Sequence, residues 1–336
     1  MAYLTRILSI DGGGIRGIIP GQVLVSLEQK LKERTQNQDA RIADFFDLIA
    51  GTSTGGILTC IYLCPDFSRD SGRPRFSAEE AVGLYLERGS EIFNISTWHN
   101  LKSAGGMLDE KYNAKELEKA LGGYFDDIKL SELLKPCLIT AYDIKRRRAK
   151  FFTQHDAKEK RMHDFFVKDV ARATSAAPTY FELKRIKSVT NVPYPSIDGG
   201  VFANNPGLCA YAEVRHKFEN KPTAKDIAML SIGTGNIRKQ YNYGDAKDWG
   251  AMEWIKPLFD ILMSGVSETV DYQLSQIFDS AGHPEQYLRV NSDLLFASPE
   301  IDDASAKNLI ALQQEGTRIA EEFDTKLDFF TNLLLK

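Results

Sequence analysis

Ser53 lies between Gly51 and Gly55 in a G-x-S-x-G pattern. The apolar residues 45–50 before it are typical of a strand, and the apolar residues 56–64 after it are typical of a helix. A serine at such a strand-to-helix turn is held above the edge of the sheet, and flanking glycines leave room for the turn and the substrate. The pattern predicts that Ser53 is a covalent nucleophile. The alternative is an ordinary Ser/Gly turn without chemistry.

A second glycine cluster, residues 11–17 with the sequence DGGGIRG, follows the predicted first strand. Acyl transfer needs hydrogen-bond donors close to the developing oxyanion. Glycines at the start of a helix present backbone N–H groups without side-chain obstruction. We therefore expect Gly12, Gly13 and Gly14 to form an oxyanion hole. A tight turn that binds no ligand is the alternative.

The same segment fits the dinucleotide-binding pattern G-x-G-x-x-G at Gly12, Gly14 and Gly17. That pattern requires an acidic residue at the end of the second strand, about 20 residues further on. Glu28 lies at that distance but within the predicted first helix, and Asp47 comes later. A nicotinamide- or flavin-binding dehydrogenase is therefore the weaker hypothesis.

Asp198 closes a predicted strand over residues 194–198 and is followed by Gly199 and Gly200. A carboxylate at the carboxyl end of a strand, beside a crevice, occupies the place where α/β enzymes hold catalytic groups. A lone aspartate at a strand end is more often a turn former. The presence of Ser53 and the glycine cluster favours Asp198 as the base that removes the serine proton.

Histidine is the usual base for a serine nucleophile. The chain has five, none in the strand-end, glycine-flanked context of Asp198: His99, His155, His163, His216 and His283. His283 comes late in the chain, where an α/β-hydrolase would place its histidine. A histidine triad therefore stays open as an alternative.

Strands and helices alternate along the chain, which predicts an α/β fold with a mainly parallel sheet. The predicted strands cover residues 4–10, 45–50, 136–143, 149–153, 194–198, 227–233 and 287–290. Helices are predicted over residues 20–33 and 56–64, after a capping box at Ser77, around residues 165–174 and from Ser305 onward. With no repeat and no linker, we expect one domain over residues 1–336, with a core of about 5–210 and a helical part of about 240–336.

The composition excludes several classes of protein. The chain has 336 residues and a net charge of -4 without a basic face, so nucleic acid is not an expected partner. The basic residues 145–148 are expected in a hairpin turn, and the four cysteines as small buried residues without metal-ligand spacing. No apolar run reaches the roughly 18 residues of a membrane-spanning helix. Residues 1–6 lack the features of a signal peptide, so we expect a cytoplasmic enzyme.

Taken together, these segments resemble the patatin-like lipid acyl hydrolases, most closely the plant-type patatins. The similar segments are residues 7–20, 39–47, 231–235, 287–290 and 300–305, in addition to the residues around Ser53 and Asp198. The resemblance extends over about the whole chain. It implies a three-layer α/β/α fold with a mainly parallel central sheet. It also implies release of fatty acids from phospholipids, glycolipids such as galactolipids, or other acyl esters, with no metal or cofactor.

Carried over by position, the resemblance implies that Ser53 is the nucleophile and Asp198 its partner in a dyad. Gly12, Gly13 and Gly14 supply the oxyanion hole, and Arg16 positions that loop or the lipid, with a surface salt bridge as the alternative. Supporting roles fall to Gly51, Gly55 and Gly199. Two features depart from the family: the signal peptide of secreted storage members is absent, and Asp-Gly-Gly replaces Asp-Gly-Ala.

The expected partner is a lipid substrate reached by peripheral contact with a membrane. The aromatic and apolar residues 249–259 could face that membrane or line an acyl cleft, but their pattern favours a core helix. Some bacterial relatives are switched on by cyclic oligonucleotides, and no residue here decides for or against such an activating ligand. A lipid-binding protein that keeps the fold without turnover is the non-enzymatic alternative.

Overall fold

The computed structural model describes residues 4–68, 72–92, 114–237 and 240–336. Its strands are β1 Thr5–Ile10, β2 Leu48–Thr52, β3 Cys137–Asp143, β4 Arg148–Thr153, β5 Lys184–Lys187, β6 Pro193–Asp198, β7 Ile227–Ile232 and β8 Tyr287–Val290. Its helices are α1 Ile18–Thr35, α2 Thr54–Leu63, α3 Ala78–Ile92, α4 Lys115–Phe125, α5 Gln154–Glu159, α6 Val167–Thr174, α7 Gly200–Ala203, α8 Gly207–Lys217, α9 Tyr243–Ala246, α10 Ala251–Ser280, α11 Ala306–Glu322 and α12 Asp324–Leu334.

The strands form one mixed sheet, and helices cover both of its faces. The centre is parallel, with β1 between β2 and β7, β3 beside β2, and β8 beside β7. Strands β4, β5 and β6 join by antiparallel pairing. The predicted α/β class with a mainly parallel sheet is confirmed.

Side chains alternate between two hydrophobic cores, as strand geometry requires. Leu8 and Ile49 face the larger core, which α1, α2, α3, α4, α6, α11 and α12 cover, whereas Ile7 and Leu48 face a smaller core beneath α8 and α10. Buried side chains on both faces explain why the central strands are almost continuously apolar. The result is the three-layer α/β/α arrangement.

The sequence locates most elements within a few residues, with two informative differences. The second strand begins at Leu48, because Asp47 is held by Arg6 through hydrogen bonds to the Arg6 N–H and guanidinium. Strand β5 was not predicted, since in Lys184–Lys187 only Ile186 is buried and the apolar alternation is missing.

The structure also tests the predicted capping box, basic turn, cysteines and lack of a membrane-spanning helix. The capping box before α3 is present, with Ser77 and Glu80 each bonding the other's backbone N–H. The turn between β3 and β4 consists of residues 144–147, one residue earlier than predicted because Arg148 already belongs to β4, and Arg146 pairs with Asp143 there at 2.7 Å. All four cysteines are free, and three of them are buried. Across the part of the chain that the structure describes, no helix combines the length and apolarity needed to span a bilayer.

One edge of β3 is shared by two strands that approach from opposite directions. On that edge β2 pairs with Cys137–Thr140, and β6 pairs antiparallel with the next residues, Ala141–Asp143. Strand β4 pairs with β3 over Leu138–Asp143, so it must occupy the other edge along its whole length. Strands β2 and β6 therefore meet end to end, with Thr52 opposite Thr140 and Asp198 opposite Ala141.

Candidate active site

Ser53 forms the sharp turn between β2 and α2. Its backbone has φ 54° and ψ -122°, a left-handed conformation that is strained for a residue with a side chain. The Ser53 N–H donates to the Thr174 hydroxyl at 2.9 Å, which anchors the turn to the end of α6. Such a strained turn, held by its surroundings, matches the geometry of a nucleophile elbow.

The two flanking glycines are required by close backbone contacts. A Cβ atom on Gly51 would lie 2.1 Å from the carbonyl oxygen of Gly55, and one on Gly55 would lie 2.2 Å from that of Ile10. Real Cβ atoms do not approach oxygen this closely, so any side chain would displace the turn. The predicted supporting role of Gly51 and Gly55 therefore has a steric basis.

Asp198 is buried beside Ser53 and ends β6. One of its oxygens accepts a hydrogen bond from the Gly200 N–H at 2.7 Å. Burial raises the pKa of Asp198 to about 6, and the neighbouring Ser53 hydroxyl and the hydrogen bond from the Gly200 N–H oppose this rise. The carboxyl group therefore titrates close to neutral pH, as a general base should.

The strand that carries Asp198 does not run parallel to its neighbour β3, as strands in an α/β sheet usually do. β6 runs antiparallel to β3, and only its last three residues pair with β3. Asp198 thus reaches the carboxyl ends of the parallel strands from the opposite side. Gly199 permits the turn that follows, because a Cβ there would lie 2.0 Å from the Thr140 hydroxyl oxygen.

Gly12, Gly13 and Gly14, in the glycine loop after β1, are not equivalent. The Gly12 N–H donates to the Asn204 carbonyl at 3.0 Å, so it is already engaged. In the described ranges, the Gly13 and Gly14 N–H groups have no protein acceptor, and they precede the turn that leads into α1. Gly14 has φ 59°, and a Cβ there would lie 2.2 Å from the Ile301 carbonyl oxygen. The structure thus leaves Gly13 and Gly14 as the available donors and gives Gly12 an anchoring role.

An ion pair that the sequence did not reveal braces this loop. Arg289 on β8 donates to both oxygens of Asp11, at 2.9 and 2.5 Å, and to the Ser231 hydroxyl at 2.8 Å. The burial of Asp11 raises its pKa, an effect that Arg289 opposes. Asp11 and Arg289 are 278 residues apart, and only the sheet order brings them together.

Arg16 does not form the surface salt bridge considered for it. The side chain is buried, with 6% of the residue exposed, and one guanidinium nitrogen donates to the Gly235 carbonyl at 3.4 Å. Its Nε atom is buried without a hydrogen-bond partner, and burial lowers the pKa of Arg16 to about 10. Among the described residues no carboxylate lies within ion-pair distance of Arg16.

An apolar cavity opens at Ser53 and Asp198. Its walls come from several helices and include Ile57, Leu84, Leu117, Phe181, Phe259 and Met263. It encloses about 50 Å³ in this structure. Such a mostly apolar slot, with Ser53 and Asp198 also in its lining, suits a hydrocarbon chain whose ester reaches the serine.

The described histidines lie outside this cavity. His155 pairs with Glu213 and His283 with Glu285, at 3.3 and 3.2 Å. Neither these two nor His163 and His216 line the cavity at Ser53. His99 lies outside the described residues. In the described part of the chain, Asp198 is therefore the titratable base beside Ser53.

The expectation of a core helix over residues 249–259 is wrong. The first half of α10 exposes a row of large apolar side chains: Met252, Trp254, Ile255, Leu258, Ile261 and Leu262. Phe259 and Met263 of the same helix line the apolar cavity. The apolar pattern arises because one side of the helix faces that cavity and the other faces water.

Comparisons with known proteins agree with this geometry. A family model described as "Patatin-like phospholipase" matches residues 8–208. The chain is 36% identical to "Patatin-like protein 3" of Arabidopsis thaliana over 95% of this chain and 81% of that protein. It is 33% identical to "Patatin group D-2" of Solanum tuberosum over 95% and 84% of the two chains.

Two further proteins are similar to this chain. The chain is 32% identical to "Probable inactive patatin-3-Kuras 1" of Solanum tuberosum, over 96% of this chain and 88% of that protein. Among solved structures, VipD of Legionella pneumophila matches with a TM-score of 0.38 and 13% identity, over 95% of this chain and 67% of that chain. That structural likeness is too weak to carry an argument.

Proposed function

The chain belongs to the patatin-like phospholipase family, whose members are lipid acyl hydrolases, and from that premise we propose that it hydrolyses fatty-acyl esters of membrane phospholipids or glycolipids. In this proposal Ser53 is the nucleophile and Asp198 is its base. The observation that carries it is the strained Ser53 beside a buried carboxyl group with a pKa of about 6, at the end of an apolar cavity.

The reaction proceeds in two halves. Ser53 attacks the ester carbonyl carbon as its hydroxyl proton passes to Asp198, and the Gly13 and Gly14 N–H groups stabilise the oxyanion. The lipid alcohol leaves with the proton from Asp198, and the acyl group remains on Ser53. Water then gives a proton to Asp198 and attacks the acyl-enzyme, and the same proton returns to Ser53 as the fatty acid leaves.

The acyl chain of the substrate lies in the apolar cavity. Each CH₂ group of the chain that the cavity removes from water stabilises the complex by about 0.8 kcal/mol. The ester then stops at the polar end, where Ser53 and Asp198 lie. This arrangement supports a lipid substrate over a small polar ester.

The substrate is reached through contact of α10 with the bilayer. The outward residues Met252, Ile255 and Leu258 are each more than 40% exposed, whereas Phe259 and Met263 line the cavity. An amphipathic helix of this kind inserts its apolar face into the boundary between head groups and acyl chains. Because this face belongs to a helix that also lines the acyl cavity, a lipid can pass from the bilayer to Ser53 without crossing water.

Vesicle sedimentation tests this contact. The double variant Ile255→Gln/Leu258→Gln is expected to lose most of its binding to phospholipid vesicles. Ile310→Gln makes the same kind of change at an exposed position on α11 and serves as the control. Equal binding by the double variant and wild type would contradict the docking of α10.

The proposed activity is tested by fatty-acid release from phospholipid and galactolipid vesicles. Wild type is expected to release fatty acid, and Ser53→Ala and Asp198→Ala to be folded but inactive. His283→Ala is expected to behave as wild type, which separates the dyad from a histidine triad. No release by wild type, together with no covalent labelling of Ser53, would instead support a lipid-binding protein without turnover.

A further inference from the structure

A second, polar cavity borders the apolar one. It encloses about 310 Å³, and Met263 and Ile301 line both cavities. An ester held at Ser53, with its acyl chain in the apolar cavity, would therefore have its remaining part at the entrance of the polar cavity. Nothing in the catalytic steps described above uses this second space.

Arg16 gives this cavity a positive group that, among the described residues, forms no direct ion pair, while the carboxylates of Asp260 and Glu300 act on it from a longer distance. The guanidinium lines the cavity, is buried, and has an Nε atom without a hydrogen-bond acceptor. A buried cation without an anion in direct contact is stabilised by a ligand that supplies one. Asn204, also on the cavity wall, has a buried Oδ1 atom that lacks a donor. Both groups have hydrogen-bonding capacity that a bound polar molecule could satisfy.

The other charges of the cavity are mostly negative. Its lining holds four carboxylates, on Asp11, Asp260, Glu268 and Asp271, and two guanidinium groups, on Arg16 and Arg289. Four negative and two positive groups leave a net charge of about -2. Asp11 and Arg289 pair with each other, which leaves Arg16 and three carboxylates as the other charged groups of the lining.

Two of those carboxylates are held in place by tyrosines. The Tyr241 hydroxyl donates to Asp260 at 3.1 Å, and the Tyr287 hydroxyl donates to Asp271 at 2.8 Å. Glu268 is exposed at the rim, two turns after Asp260 on α10. The cavity thus presents one cation deep inside and carboxylates along the wall that α10 forms.

We propose that this cavity is the head-group site and that it selects zwitterionic phospholipids. The phosphodiester lies at Arg16, and the ammonium or trimethylammonium group lies at Asp260 and Glu268. An anionic head group lacks a cation for these carboxylates and is repelled by them, and an uncharged sugar supplies no anion to contact Arg16. The proposal rests on the lipid acyl hydrolase function, since it assigns the head group of that substrate.

The test uses competition within one membrane. Vesicles contain equal amounts of phosphatidylcholine, phosphatidylglycerol and monogalactosyldiacylglycerol, and the lyso products are counted by mass spectrometry. Because all three lipids share one surface, differences in vesicle binding cancel in the product ratio. Wild type is expected to favour lysophosphatidylcholine over lysophosphatidylglycerol.

The double variant Asp260→Asn/Glu268→Gln removes the negative charges assigned to the ammonium group. It is expected to reduce the phosphatidylcholine preference by about fivefold or more, the effect of losing one or two partly exposed ion pairs. The matched control is Asp279→Asn/Glu321→Gln, which also removes two exposed carboxylates but away from the cavity. A wild-type ratio near one, a ratio unchanged in the cavity variant, or a preference for the galactolipid would overturn the proposal.

A binding measurement separates this proposal from the catalytic one. Calorimetry of Ser53→Ala with short-chain phosphatidylcholine and phosphatidylglycerol, below their micellar concentrations, reports on head-group recognition without turnover. Tighter binding of phosphatidylcholine that is lost in Asp260→Asn/Glu268→Gln supports the site even if wild type releases no fatty acid. Equal binding of both lipids would contradict it even if wild type is an active hydrolase.

Discussion

Thr52 and Asp198 lie opposite consecutive residues of β3 on the same edge of that strand. Ser53, the residue after Thr52, therefore comes against Asp198 because two strand ends meet, and no mobile loop is needed to join them. Sites built on regular elements hold their geometry more closely than sites built on loops. The proximity of Ser53 and Asp198 thus follows from the register of β2 and β6 along β3.

The pKa of Asp198 predicts the pH dependence of activity. Burial raises this pKa to about 6, and the protonated carboxyl group cannot accept the Ser53 proton. We expect kcat/KM on a short p-nitrophenyl ester to rise with pH through about 6 and then level off. His283→Ala should keep the same profile. A profile that shifts in this variant would assign the titration to a histidine.

The same raised pKa predicts that the dyad costs stability. An unfolded aspartate has a pKa of 3.8, so between that value and about 6 the native state binds more protons and its stability falls as pH rises. Asp198→Asn carries no charge and should unfold at a higher temperature than wild type above pH 6. The difference should shrink towards pH 4, and thermal unfolding followed at both ends of this range measures it. A variant that is less stable at neutral pH would contradict the assignment of a buried, destabilising carboxylate.

The contact of Gly55 with Ile10 predicts a large effect from one methyl group. In Gly55→Ala the new Cβ would overlap the Ile10 carbonyl, which should destabilise the fold by about 1–3 kcal/mol or more and distort the turn at Ser53. Gly122→Ala is the control, because Gly122 lies in α4 with open space around it. That variant should gain up to about 1 kcal/mol. Urea unfolding of both proteins provides the comparison, and equal stabilities would show that the turn relaxes.

The buried Asp11–Arg289 pair predicts non-additive mutations. Arg289→Gln leaves Asp11 buried without its partner and should cost roughly 3–5 kcal/mol of unfolding free energy. Asp11→Asn/Arg289→Gln removes both charges and should recover much of that loss. A double-mutant cycle measured by denaturant unfolding gives the coupling, and additive effects would mean that the pair does not brace the glycine loop.

The sharp turn at Ser53 and the glycine loop could be predicted from the sequence because their geometry is local. The contacts that require Gly51 and Gly55 involve backbone atoms of the turn itself and of the adjacent strand. The same holds for most strands, whose buried faces make them apolar. Asp198 was found through its strand-end position and its glycines.

The remaining features depend on pairing between segments that are far apart in the chain. The spacing of residues in the sequence does not indicate which of these segments pair. The direction of β6, the engagement of the Gly12 N–H by Asn204 and the Asp11–Arg289 pair all follow from sheet order. The first half of α10 was misassigned to the core, because a helix between an apolar cavity and water has the composition of a buried one.

The most direct test of the account is the rate at which an organophosphonate labels Ser53 in wild type and in Asp198→Asn. The adduct is located by mass spectrometry, and His283→Ala serves as the control. If Asp198 activates Ser53, wild type and His283→Ala are labelled at Ser53 at equal rates, and Asp198→Asn is labelled about 100-fold more slowly or worse. Labelling at another residue, or an equal rate in Asp198→Asn, would contradict the Ser53–Asp198 dyad.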